Sequence, residues 1–87
     1  MASTRTFVQN DASGRYRIRV DEVVVNGFTV SWRWYVFAVE RRMWVVDTDI
    51  AHRDADAWSE AWAVVALCLA NNDSKLQGSY VIGTSGY

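Results

Sequence analysis

The feature that most constrains the fold is a run of alternating side chains from Arg15 to Val39, broken once by Asn26-Gly27. Strict alternation of apolar and polar residues is the pattern of a strand with one buried face. Asn and Gly both tolerate positive φ, so the dipeptide predicts a hairpin turn between two long strands. We therefore expect a fold built around one long antiparallel hairpin.

Shorter segments extend this hairpin into a meander. The predicted elements are strands at about 4–9, 15–25, 28–39 and 43–48, a helix at about 54–70 and a Gly/Ser-rich tail at 74–87. In the tail, only Tyr80-Val81-Ile82 suits a further edge strand. Eighty-seven residues suit a single domain. The predicted fold class is α+β, an antiparallel β-meander of three to four strands with one α-helix packed on one face.

The register across Asn26-Gly27 decides which residues share a face. A three-residue loop, or a bulged equivalent, places Val20 opposite Trp32 and Ile18 opposite Trp34. We prefer it because a strict two-residue turn opposes Val20 to Arg33. The predicted core face carries Ile18, Val20, Phe28, Val30, Trp32, Trp34, Val36 and Ala38. It packs against a helix stripe of Trp58, Ala61, Trp62, Val65, Ala66 and Leu69, with Val64 and Leu67 pointing away.

The opposite face of the sheet is the candidate site, because arginines alternate there with aromatic rings. In the predicted register Arg17 opposes Tyr35, and Arg19 opposes Arg33. An even number of residues in the second hairpin loop brings Trp44 onto this face, and an odd number sends it to the core. Arg, Tyr and Trp dominate the binding energy of protein interfaces. The predicted partner-binding residues are Arg17, Arg19, Arg33, Tyr35, Phe37 and Trp44.

Three readings of this face stay open. It can dock a protein partner or a second copy of the chain, which makes a homodimer one candidate assembly. It can instead bind single-stranded nucleic acid, with bases stacked on the rings and arginines on the phosphates. In the third reading, arginine stems cover the rings and the face is only solvated. A net charge of −1 argues against an indiscriminate polyanion binder.

The sequence gives no catalytic constellation, and we predict a protein without catalytic residues, metal or cofactor. His52 is the sole histidine and has no nucleophile motif beside it, and Cys68 lies in an apolar helix. Five carboxylates between Asp47 and Glu60 do not match the spacing of a calcium loop. The longest apolar run, 61–70, is half a membrane span, and the first fourteen residues lack an apolar signal core, so we expect a cytoplasmic protein.

The layout of Arg15 to Val25, Asn26-Gly27, Phe28 to Val39 and the helix 54–70 resembles the small α+β anti-CRISPR proteins of phages and mobile elements. The resemblance implies a non-enzymatic inhibitor that binds a host effector complex and occludes it in the host cytoplasm. It is a resemblance of size and layout, so no functional residue is carried over by position.

Overall fold

The computed structural model describes residues 5–78, and they form a four-stranded antiparallel sheet with one helix on one face. The elements are β1 (Thr6–Asn10), β2 (Tyr16–Val25), β3 (Phe28–Ala38), a 3₁₀ turn (Val39–Arg41), β4 (Trp44–Ala51) and α1 (Asp54–Gly78). The strands lie in chain order, β1-β2-β3-β4. The predicted α+β fold is confirmed. The predicted edge strand at Tyr80-Val81-Ile82 lies outside the described residues.

The first hairpin turns in two residues, because Asn26 and Gly27 both take positive φ, 52° and 81°. Val25 therefore pairs with Phe28, and a bulge between Val23 and Val24 leaves Val30 of β3 without a partner. Because the bulge adds one residue to β3, the apolar residues of β2 and β3 lie opposite each other on the far side of the bulge from the turn. Of the two predicted alternatives, the structure has the bulged equivalent and not the three-residue loop.

The predicted pairings are wrong by two residues, since Val20 lies opposite Trp34 and Ile18 opposite Val36. A shift of two keeps every residue on its predicted side as far as the bulge. Between the bulge and the turn, the alternation of side chains is offset by one residue, and Phe28 and Val30 are exposed rather than buried. Their assignment to the core face is wrong for this reason.

The second hairpin has a five-residue connection, 39–43, that ends with Arg42 and Met43 at positive φ. This odd number places Trp44 opposite Ala38, on the side of the sheet that carries the core. A second bulge, between Val36 and Phe37, leaves Val46 without a partner. Beyond it β4 continues to Ala51, three residues past the predicted end.

The core lies between α1 and the strands β2, β3 and β4. Its buried residues are Tyr16, Ile18, Val20, Trp34, Val36, Ala38, Ala51, Ala57, Ala61 and Val65. Small side chains at Ala57 and Ala61 let the helix approach the sheet closely. Of the four tryptophans expected in the core, Trp34 is buried, while Trp32, Trp58 and Trp62 are half-buried around it.

The helix is rotated from its predicted orientation. Ala57 lies in the core, and Val64, expected to point away, packs against it. Ala66, expected in the stripe, is exposed, as is Leu67. The helix begins at Asp54, as predicted, and extends to Gly78, past the predicted end near residue 70 and into the predicted tail, because Asn and Asp lower helix propensity without breaking a helix. Asp54 and Asp56 in its first turn complement the positive end of its dipole.

Candidate functional site

The face of the sheet opposite α1 is the candidate site, and we call it the outer face. Side chains alternate along a strand, so the pairing fixes which residues belong to it. The outer face consists of Thr6, Val8, Asn10, Arg17, Arg19, Asp21, Arg33, Tyr35, Phe37, Val45, Thr48 and Ile50. Within residues 5–78, no element packs on this face.

An aromatic and cationic stack occupies its centre. The rings of Tyr35 and Phe37 stack with centroids 5.8 Å apart and planes 15° from parallel. Arg19 lies directly across from Tyr35, and its Cζ sits 5.5 Å from the centre of that ring. This geometry is a cation-π contact between neighbouring strands. The three side chains therefore hold one another in place, and no other element of the described range 5–78 packs on them.

The register also corrects the expected pairing of the arginines. Arg17 lies opposite Phe37, not Tyr35, and Arg33 lies opposite Asp21, not Arg19. The two-residue turn and the one-residue bulge at Val30 each shift the register by one residue, two in all. Opposite charges, rather than two guanidinium groups, therefore face each other across β2 and β3.

Hydrogen bonds orient two of the three arginines. Arg17 Nε donates to Asn10 Oδ1 at 2.8 Å, and Arg19 Nε donates to Asp21 Oδ1 at 2.8 Å. The side chain of Arg33 makes no hydrogen bond or ion pair with any described residue. Arg33 thus offers the only guanidinium on this face whose donors are unused within the described structure.

The margins of the outer face mix apolar and polar side chains. Val8, Val45 and Ile50 are each more than two-fifths exposed and alternate with Thr6, Asn10 and Thr48, while Tyr35 and Phe37 at the centre are half-buried. Three arginines and one aspartate give the face a charge of 3 − 1 = +2. Arginines and aromatic rings are residue types enriched in protein interfaces.

Trp44 stands apart from the other five predicted site residues. It pairs with Ala38 of the core side, so its register position is not on the outer face. The ring is nevertheless 68% exposed. The structure brings Arg17, Arg19, Arg33, Tyr35 and Phe37 together and leaves Trp44 elsewhere.

A second exposed region, which the sequence reading missed, lies at the tip of the first hairpin. The last β4 residue, Ala51, pairs with Trp32, and the first β1 residue, Thr6, pairs with Asp21. The segment 23–31 therefore projects beyond the four-stranded sheet as a two-stranded ribbon. Phe28 at its tip is 74% exposed. The lengths of the strands carried the signal, since β3 is longer than β4 can match.

Groups with possible chemistry do not converge. His52 is exposed in the turn before α1. Burial raises the pKa of the Cys68 thiol, against an opposing hydrogen bond with Tyr16, so the thiol stays protonated. Among the described residues, no three His, Cys, Asp or Glu side chains lie close enough to hold a metal ion.

Comparisons with protein-family models, with curated proteins and with solved structures each found no match. In the part of the chain that the structure describes, no helix combines the length and apolar character needed to cross a bilayer.

Proposed function

We propose that this protein is a non-enzymatic binding module that docks a partner protein through its outer face. The observation that carries the proposal is the fixed stack of Arg19, Tyr35 and Phe37 beside Arg33, whose donors are unused. Side chains already held in one geometry lose little conformational entropy on binding. Arg33 supplies directional hydrogen bonds, and the rings supply apolar area.

The charge and the exposed apolar side chains of the face define the partner. A face of charge +2 complements a surface that carries carboxylates. The exposed side chains of Val8, Val45 and Ile50 complement apolar groups on that surface. We infer a partner whose surface has an acidic patch with apolar groups beside it.

The role that the layout resemblance suggests is occlusion of a host effector complex in the cytoplasm. A stiff sheet face that covers a working surface of such a complex inhibits it sterically, without chemistry. This role belongs to the same proposal and adds one requirement, that the partner be a subunit of an effector complex.

Single-stranded nucleic acid is the second candidate, and the ring geometry argues against it. One side of the Tyr35 ring carries the Arg19 guanidinium, and Phe37 stacks on the same ring. Bases need an open ring face to stack on. Arg17 and Arg19 also spend a donor each on Asn10 and Asp21.

Site-specific photocrosslinking tests the proposal. A benzoylphenylalanine placed at Tyr35 should crosslink a protein in host extract, and the same group at the exposed helix position Leu67 should not. The crosslinked protein, once purified, should bind Arg33→Glu at least about tenfold more weakly than wild type, the equivalent of one charged hydrogen bond. Leu67→Ala should bind like wild type.

Two results would contradict parts of this proposal. Crosslinking at position 67 but not at 35 would remove the outer face as the docking surface. Tight binding to a single-stranded oligonucleotide, weakening steeply between about 50 and 200 mM salt, would favour the nucleic-acid alternative. A partner crosslinked at 35 that belongs to no effector complex would leave the surface in place and refute the inhibitory role.

A further inference from the structure

The two edge strands of the sheet, β4 and β1, differ in whether side chains occupy their outward-facing backbone amides. Along β4, the amide of Thr48 donates to Asp47 Oδ1 at 2.9 Å, and the amide of Ile50 donates to Asp49 Oδ1 at 2.8 Å. Each aspartate therefore occupies the donor that an added strand would need. Charged side chains that cap an edge in this way block strand addition.

Among residues 5–78, no side chain protects the β1 edge in this way. Arg5 O accepts from the amide of Glu22 at 2.9 Å, and the amide of Asp11 donates to Tyr16 O at 3.0 Å. Because pairs alternate along an antiparallel ladder, the backbone groups of the residues between them, Thr6, Val8 and Asn10, point away from β2. All five residues of β1 are exposed, and none is charged or a proline.

A groove lies beside this open edge on the helix side. The helix packs on β2, β3 and β4, which leaves β1 projecting past it. The groove has a volume of about 440 Å³ and is lined by Thr6, Phe7, Val8, Gln9, Asp54 and Trp58. An added strand would find hydrogen bonds along the edge and apolar contacts with Phe7 and Trp58 below it.

We propose that a second copy of this chain occupies the edge, with the two β1 strands antiparallel about a two-fold axis at Val8. In that register Val8 lies opposite the partner's Val8, and Thr6 opposite the partner's Asn10. All three outward-facing residues of β1 then pair with outward-facing residues, which a shift by one residue prevents and a shift by two reduces. The two sheets become one sheet of eight strands.

The charges next to β1 permit the same register. Pairing about Val8 brings Arg5 opposite the partner's Asp11, but the Arg5 guanidinium already donates to Glu22, and the buried Asp11 carboxylate already accepts from Ser13 and Tyr16. Neither group therefore adds a bond between the copies. No like charges face each other across the axis. The strand is thus self-complementary, as an isologous interface requires.

A charge-swap experiment tests the dimer. Wild-type protein should show twice the chain mass of 9.9 kDa by light scattering. Val8→Lys and Val8→Glu should each be folded monomers, because like charges meet at the axis, and an equimolar mixture should recover the dimer mass. Thr48→Lys, an equivalent change on the β4 edge, should remain a dimer.

Amide exchange gives an independent readout on the unmodified protein. On dilution of the wild type, the amides of Thr6, Val8 and Asn10 should lose protection, while those of Phe7 and Gln9, bonded within the sheet, should keep it. A monomeric wild type, a mixture that stays monomeric, or a dimer abolished by Tyr35→Glu but not by Val8→Lys would overturn the proposal.

Discussion

The two faces of the sheet come from the same strands, yet they are stabilised in different ways. On the helix-covered face, Trp34 is 3% exposed and donates its indole Nε1 proton to Glu60 of α1 at 3.0 Å. On the outer face its neighbour Tyr35 is half-buried and is covered by Arg19 and Phe37, both side chains of the sheet itself. One face is buried by a separate element, and the other covers itself with guanidinium and ring contacts.

This difference separates the face that stabilises the fold from the face that we propose binds a partner. A side chain buried under a helix is surrounded on all sides, so its loss leaves a cavity. A side chain on a self-covered face loses contacts on one side only, and water fills the space. The outer face can therefore change its residues, or bind a partner, with little consequence for folding.

The sharpest way to break this comparison is to truncate the two neighbouring aromatic residues of β3. Trp34→Ala should lower the free energy of unfolding by about 3 to 5 kcal/mol, the cost of an emptied aromatic core site. Tyr35→Ala should lower it by about 1 kcal/mol, the loss of an exposed ring stack and cation-π contact. Urea denaturation followed by circular dichroism measures both, and equal losses would mean that the two faces are packed alike.

The sequence predicted the membership of the two faces better than it predicted their pairing. Because side chains alternate along a strand, Arg17, Arg19 and Tyr35 share one face in every register that differs by an even number of residues. The two-residue turn and the bulge at Val30 together shifted the register by two residues, so the neighbours changed and the faces did not. Nothing in the sequence around Val30 indicates a bulge, and Phe28 was therefore assigned to the wrong face of the sheet.

Two further features depended on tertiary context. Trp44 could not be placed because its side follows from the length of the second loop, and Arg42 and Met43 at positive φ give no clear signal in sequence. The rotation of the helix was missed because the large tryptophans dominate its apolar pattern. The close approach of the helix to the sheet depends instead on Ala57 and Ala61, whose small side chains contribute little to a hydrophobic pattern.

A second comparison uses low pH, because two carboxylates have a lowered pKa, Glu22 in β2 and Asp11 in the turn that precedes β2. The hydrogen bond from Arg5 outweighs desolvation and lowers the pKa of Glu22. Burial opposes ionisation of Asp11, but hydrogen bonds from Ser13 and from the amide of Tyr16 outweigh it, and the pKa of Asp11 is also lowered. In both cases the unfolded chain takes up a proton at higher pH than the folded one.

We therefore expect a loss of stability in acid that is smaller than the effect of Trp34→Ala. The contribution is fully present above about pH 5 and falls as the pH drops through the ordinary carboxyl range, near about 4, toward the folded pKa values. Chemical denaturation at a series of pH values should show this slope. Glu22→Gln and Asp11→Asn should each flatten it, and a slope unchanged in the double variant would contradict the role of these two carboxylates.

The smallest expected difference compares one polar contact on each face. Glu60→Ala removes the acceptor of the buried Trp34 indole and should cost about 1 kcal/mol, whereas Glu60→Gln keeps an acceptor there and should cost less. Asp21→Ala removes the contacts of Arg19 and Thr6 on the outer face and should cost about 0.5 kcal/mol or less, because solvent already screens them. A larger loss at Asp21 than at Glu60 would show that the outer face depends on its ion pair for stability, and the division between a face that stabilises the fold and a face proposed to bind a partner would then fail.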